Sequence, residues 1–353
     1  MSERASENGS AREAKDKKLT YTLNDMDKKM LEAVPDPEGF RQYREDFYAA
    51  STFKKRFDYP IHLDIETNNS CNFSCAFCEH GFDPKPEFYQ TAINLPKEDV
   101  FDILDQAAEM GVKSVQLNLV NEPLMYKPLI EVIEYASKLK FQDIYFLTNG
   151  SPLTERKAEA LIKSGLTRIM ISLDAHSADI FEKIRKRKDF EKIKKNILNF
   201  IKKREDLNSK LPLVRTSFLV TDINKHQVND FIDYWTDKAD FIAIQNLMSD
   251  DDIEATNLNN IESLKGYRCN MPLFRLSIIA DGRITPCCVF DGNSLTVGHI
   301  KKVTLKELWN SQKMKKFQDM HLDYAWDQNP ICKNCVLKTN FNAVENEIAS
   351  KGV

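Results

Sequence analysis

The 353-residue chain predicts an α/β protein built on a parallel sheet, followed by a smaller segment of different character. Two observations predict this. From residue 61, apolar β-branched runs alternate with amphipathic helical stretches, which counts out as six βα units. Past residue 250 the alternation stops, and a short hairpin, a helix and closely spaced cysteines take its place.

Residues 1–19 are polar without apolar period and read as a disordered tail, and residues 20–60 as a helical segment broken at the VPDP of 34–37. The strands are expected at 61–67, 112–120, 141–149, 167–175, 213–221 and 241–248, with helices after the first five. In the first helix, 96–111, Val100, Ile103, Leu104 and Ala107 recur at helical spacing and Gly111 stops it. Between strands four and five a long basic helix carries IRKRKDFEKIKK, 184–195, a solvated face or a polyanion contact. Residues 61–250 thus form the first domain. A second, 251–340, holds the hairpin LFRLSIIADGRITPCC around Asp281-Gly282, a helix over 304–322 and the pair CKNC; 341–353 is a tail.

Composition limits the function. Hydrophobic residues make up 42%, enough for a sizeable core, and 50 basic against 53 acidic side chains leave a net charge of -3. No global positive field favours nucleic acid or an anionic membrane. No run approaches the roughly 18 apolar residues of a spanning helix, and the N-terminus has no apolar signal core, so the cytoplasm is the expected location.

Eight cysteines are too sparse for a disulfide scaffold, and they fall into two groups. Cys71, Cys75 and Cys78 stand at gaps of three and two residues; Cys269, Cys287, Cys288, Cys332 and Cys335 follow far downstream. Three thiolates suit a 4Fe–4S cluster with one iron open to an exogenous ligand; a zinc site completed by His80 is the rival. Cys269, Cys287, Cys332 and Cys335 offer a closed set of four, for an electron-transfer cluster or for zinc. Neighbours on a strand point oppositely, so one of Cys287 and Cys288 faces that site, and Cys287 is chosen.

The motif Cys71-x3-Cys75-Ala76-Phe77-Cys78 resembles the signature of the radical S-adenosylmethionine superfamily. LVNEPLM (119–125), LTNG (147–150) and ISLDA (171–175) are similar to its further motifs, with Val120-Asn121-Glu122 standing where the family usually has Gly-Gly-Glu. The resemblance implies a partial (β/α)6 TIM-like barrel. It implies that Cys71, Cys75 and Cys78 carry the catalytic cluster and that Phe77, Asn121, Glu122, Thr148, Asn149, Ser172 and Arg185 contact the cofactor. Glu122 would take the methionyl amine and Arg185 the carboxylate. ADGRITPCC, VGHI (297–300) and LKELWNS (305–311) resemble a shortened SPASM module, the twitch domain. Two 4Fe–4S clusters, one auxiliary, are therefore expected.

The auxiliary cysteine layout is similar to that of the twitch-domain enzyme that dehydrogenates the aminocyclitol 2-deoxy-scyllo-inosamine. The expected function is radical oxidation of a carbohydrate or cyclitol alcohol, with S-adenosylmethionine as cofactor, a reductant such as flavodoxin or ferredoxin as partner, and the auxiliary cluster as electron acceptor. Modification of a ribosomally made peptide or protein is the alternative, and a catalytically silent iron-sulfur or zinc binding protein the third reading. His80, Arg215 and Gln245 are candidate substrate contacts, and Phe88 and Tyr89 a candidate lid.

Overall fold

A computed structural model of the chain describes residues 23–246, 266–288 and 295–338. Both expected tails, 1–19 and 341–353, and residues 247–248 of the sixth expected strand lie outside the described residues.

Helices α1 (Leu23–Ala33) and α2 (Pro37–Ser51) flank the break at VPDP, where Asp36 caps α2 by accepting from the Gly39 N–H. Their apolar residues Met26, Met30, Phe40 and Tyr43 pack with Phe57, Ile61, Leu213, Phe241 and Phe274, which lie at the entrances to strands. The N-terminal segment is thus a floor under the sheet.

Above it stand β1 (His62–Ile65), β2 (Ser114–Gln116), β3 (Asp143–Thr148), β4 (Arg168–Ser172), β5 (Leu213–Val220) and β6 (Phe241–Asn246), each paired in parallel with the next. The crossovers contain α3 (Lys97–Met110), α4 (Leu129–Lys138), α5 (Glu155–Lys163), α6 (Ala178–Arg185), α7 (Phe190–Asp206) and α8 (Val228–Trp235). In α3 the expected residues Val100, Ile103, Leu104 and Ala107 are buried, and Gly111 ends the helix at φ 97°.

Alternation along the strands sorts the faces. Leu63, Ile65, Val115, Ile144, Phe146, Ile169 and Ile171 join the core beneath the helices. The alternate residues His62, Asp64, Ser114, Asp143, Tyr145 and Arg168 take the opposite, concave face, also buried. That face is held by polar pairing. Arg168 forks onto Asp143, and the His62 ring nitrogens meet Ser114 Oγ at 2.8 Å and Asp64 at 3.0 Å. Burial opposes ionisation of Asp64 and Asp143, yet Arg275 and Arg168 respectively hold the two carboxyls below the usual range.

The second domain does not build a sheet of its own. After α9 (Met271–Phe274), β7 (Arg275–Ile278) pairs in parallel with β1, and β8 (Arg283–Thr285) and β9 (Gly298–His299) continue antiparallel. One sheet of nine strands results, in the order β6-β5-β4-β3-β2-β1-β7-β8-β9. The expected turn at Asp281-Gly282 is present, with Gly282 at φ 89°. The C-terminal helices are α10 (Leu305–Trp309), α11 (Gln312–Leu322) and α12 (Pro330–Lys338).

Two expected continuous helices are broken. The basic stretch 184–195 spans the gap between α6 and α7, where Lys186 turns to φ 56° so that Ile184 and Arg185 face inward while Lys186, Arg187 and Lys188 face solvent. The helix expected over 304–322 divides at Ser311, whose hydroxyl accepts from the Met314 N–H at 3.2 Å and starts a new helix. Among the described residues no helix is long and apolar enough to cross a membrane.

Candidate active site and cluster sites

Four consecutive strands deliver polar residues to one rim, at their C-terminal ends. The loop after β1 carries Cys71, Cys75 and Cys78; Asn121 and Glu122 follow β2; Thr148 and Asn149 close β3; Ser172 ends β4; and Arg185 reaches back from α6. With Phe77, all ten line a single cavity of about 380 Å³.

Glu122 is its hub. Its carboxylate accepts from Leu124 N at 3.0 Å, Thr148 Oγ at 2.7 Å and Asn149 N at 2.7 Å, and burial raises its pKa against these bonds. Asn121 accepts from Leu119 N at 3.0 Å and leaves its buried Nδ2 without a partner. Asn149 donates to Asn72 Oδ1 at 2.8 Å and lies 3.9 Å from Cys71 Sγ. Arg185 pairs with Asp174 at 2.5 Å, donates toward Cys75 Sγ at 3.4 Å and sits 5.4 Å from the Phe77 ring centre.

The donor set fits an iron–sulfur cluster. Burial pushes the Cys71 thiol up to about 12 and raises Cys78 as well, so thiolates at these positions need metal cations beside them. The Phe73 N–H, 3.4 Å from Cys71 Sγ, and Arg185 supply the N–H···S contacts that stabilise sulfur-borne charge. His80 is absent from the cavity lining: it is buried against Tyr89, ring centres 4.7 Å apart, both ring nitrogens lack partners, and burial lowers its pKa to about 4. Tyr89 is itself 5% exposed, and neither it nor Phe88, the candidate lid, lines the cavity. Gln245 is exposed on the edge strand. Arg215, half-buried on β5, shares the concave face.

One residue was missed. Glu66, just past β1, clasps two backbones: its carboxyl accepts from Val120 N at 3.3 Å and from Ala280 N at 3.2 Å. It thereby joins the cavity's β2 loop to the C-terminal hairpin. Burial, with Asp281 and Glu79 nearby, raises its pKa to about 7. The sequence signal is the alternation His62, Asp64, Glu66 in an otherwise apolar strand.

A second cavity, of about 290 Å³, gathers all five downstream cysteines with His321. Burial pushes Cys269 up to about 11 and Cys332 up to about 12, the same argument for a metal. Cys287 and Cys288 both line it, because β8 has ended at Thr285 and strand alternation no longer applies. Cys287 is buried, whereas Cys288 is exposed and hydrogen-bonds Arg275.

Comparison with known proteins agrees with this division. Residues 65–234 match the Radical SAM superfamily and residues 269–336 match SPASM, an iron-sulfur cluster-binding domain. The chain carries a radical SAM domain and a C-terminal SPASM domain, a pairing that implies S-adenosylmethionine and two 4Fe–4S clusters. It is 31% identical over 210 residues to a probable GTP 3',8-cyclase of Methanocaldococcus jannaschii, covering 59% of this chain and 63% of that protein. A GTP 3',8-cyclase of Clostridium acetobutylicum is 33% identical over 180 residues, or 50% of this chain and 52% of that one. The chain thus spans less than two thirds of the length of either. Among solved structures, BtrN in complex with AdoMet and 2-DOIA aligns with a TM-score of 0.51 at 15% identity, covering 79% of this chain and 93% of that one. Streptococcus suis SuiB bound to precursor peptide SuiA aligns with a TM-score of 0.53 at 18% identity, over 81% and 73%.

The relatives overturn the expected carbohydrate or cyclitol oxidation, since they are named for cyclisation of GTP. The cysteine layout that suggested a dehydrogenase specifies how a cluster is held, and a cluster can serve many substrates.

Proposed function

We propose that this chain is a radical SAM enzyme acting on a small molecule of the nucleotide class, with GTP the first candidate. The observation that carries the proposal is the convergence of Cys71, Cys75, Cys78 and seven further polar or aromatic residues on one cavity. The names of the relatives supply the substrate class.

Cys71, Cys75 and Cys78 would hold the cluster and leave one iron for the cofactor. When bound and reduced, cluster and S-adenosylmethionine supply a 5'-deoxyadenosyl radical that takes a hydrogen atom from the substrate. The chain's own residues bind and orient. A carboxylate has about four lone-pair sites; three on Glu122 are occupied by Leu124, Thr148 and Asn149, which leaves one for the methionyl amine. Arg185 keeps its Nε without a protein partner, the donor through which it would reach the cofactor carboxylate. Asp174 aims that guanidinium. Asn121 keeps a buried amide N–H in reserve on the same wall. A flavodoxin or ferredoxin would supply the electron.

The test is anaerobic incubation of the reconstituted protein with S-adenosylmethionine, dithionite and ribose-deuterated GTP. Expected are 5'-deoxyadenosine carrying deuterium and a product isomeric with GTP. Absence of 5'-deoxyadenosine sinks the radical chemistry; unlabelled 5'-deoxyadenosine at a rate indifferent to GTP sinks the nucleotide.

A further inference from the structure

His321 is buried to 1% exposure at the end of α11 and lines the second cavity, though it belongs to no cysteine motif. Its Nε2 lies 3.6 Å from Cys332 Sγ. Its Nδ1 is also buried and has no partner, and one face packs edge-on to Phe317 with ring centres 5.2 Å apart. A neutral imidazole carries one N–H, and Cys332 sulfur is the acceptor within reach. As a metal-bound thiolate Cys332 has no proton and can only accept, so the tautomer that fits such a centre carries its proton on Nε2.

We propose that His321 is a positioning and tuning residue of the auxiliary centre: its Nε2–H donates to the Cys332 thiolate and raises the reduction potential of the cluster held there. The proposal rests on the assignment of Cys269, Cys287, Cys332 and Cys335 as ligands. A thiolate accepts more strongly than a thiol, and its charge grows when the cluster takes an electron, so an N–H aimed at it favours the reduced state. The setting magnifies the effect, because the cavity wall around the cysteines is apolar, with Met271, Pro272, Leu295, Phe317, Ile331 and Val336. His321 is not needed as a ligand, since the cysteines already fill a four-coordinate set.

The test compares the wild-type holoprotein with His321→Phe, which keeps the ring volume, and His321→Gln, which keeps a donor. Iron content, EPR-monitored redox titration of the auxiliary signal, and pulsed EPR on ¹⁵N-histidine-labelled protein are measured. His321→Phe should retain its iron, while its reduced fraction at fixed solution potential falls about tenfold, equivalent to about 59 mV downward for a one-electron couple. His321→Gln should recover part of that shift, and wild type should show a weak ¹⁵N coupling lost in both variants. An unchanged potential in iron-replete His321→Phe overturns the proposal. So does a ¹⁵N coupling of the size of direct ligation. Wild-type protein holding only the first cluster's iron, about four atoms, would instead overturn the ligand assignment beneath it. If His321→Phe does not fold, His321→Gln and the label on wild type still decide: absence of any ¹⁵N coupling refutes the hydrogen bond.

Discussion

Glu66 shows how much one buried side chain can decide. Its two oxygens accept from Val120 at the rim cavity and Ala280 at the hairpin, so a single carboxyl ties the β2 loop to the C-terminal hairpin beside the β1–β7 pairing. Burial first, then Asp281 and Glu79, raises its pKa to about 7, against the restraint of the two N–H donors. The folded state therefore holds a proton that the unfolded state releases near pH 4.5. Stability from this group is present at low pH and falls as pH rises through about 7. Glu66→Gln should flatten that decline: its unfolding free energy should gain on wild type between about pH 4.5 and pH 7, by up to about 3 kcal/mol, and stay level above. Parallel melting profiles across that range would refute the raised pKa. The residue was legible only in part. An acid in an apolar strand is a visible anomaly, but its two partners come from segments far apart in sequence.

At the scale of elements, chain punctuation placed the sheet and misjudged two helices. Strand positions follow from β-branched runs, and Gly111 and Gly282 mark stops because both adopt positive φ. The break at Lys186 has no such residue to announce it, since the turn is imposed by Ile184 and Arg185 seeking the interior. The hairpin deserves its own test because it carries Cys287 to the second cavity. A Cβ at Gly282 would approach His299 Cε1 to 2.9 Å in a backbone region that L-residues avoid. Gly282→Ala should cost about 1–2 kcal/mol and lower iron retention at the auxiliary centre while the first cluster's signal persists. A variant that melts with wild type and keeps full iron would show that the turn has slack.

For the whole molecule, the two metal sites differ in what surrounds them. The first sits on the rim of six parallel strands whose core runs from β1 through α8 and on into β7, β8 and α10, closed below by α1 and α2. The second rests on a small cluster of Tyr267, Trp326, Cys332 and Val336. Double replacement of Cys332 and Cys335 with Ala should therefore halve the iron, from about eight atoms to about four. The barrel should keep its circular dichroism, and cofactor cleavage should persist at a reduced rate. Loss of all iron, or of the parallel-sheet signal, would show that the first site depends on the second.

Sequence alone determined the alternating α/β architecture and picked out candidate site residues that the fold brings together. Cysteine spacing, strand-end motifs and turn glycines are local features, each read from a few neighbouring residues, and ten such residues meet in one cavity. Tertiary structure decided what depends on parts of the chain remote from one another. The C-terminal hairpin extends the barrel's own sheet through β1 and β7, a pairing between residues 62–65 and 275–278. Glu66 bridges two loops, and His321 meets Cys332 across a turn. Such contacts form because pairing an open strand edge or a buried polar atom lowers its free energy. Which partner is available depends on where the folded backbone brings distant segments together.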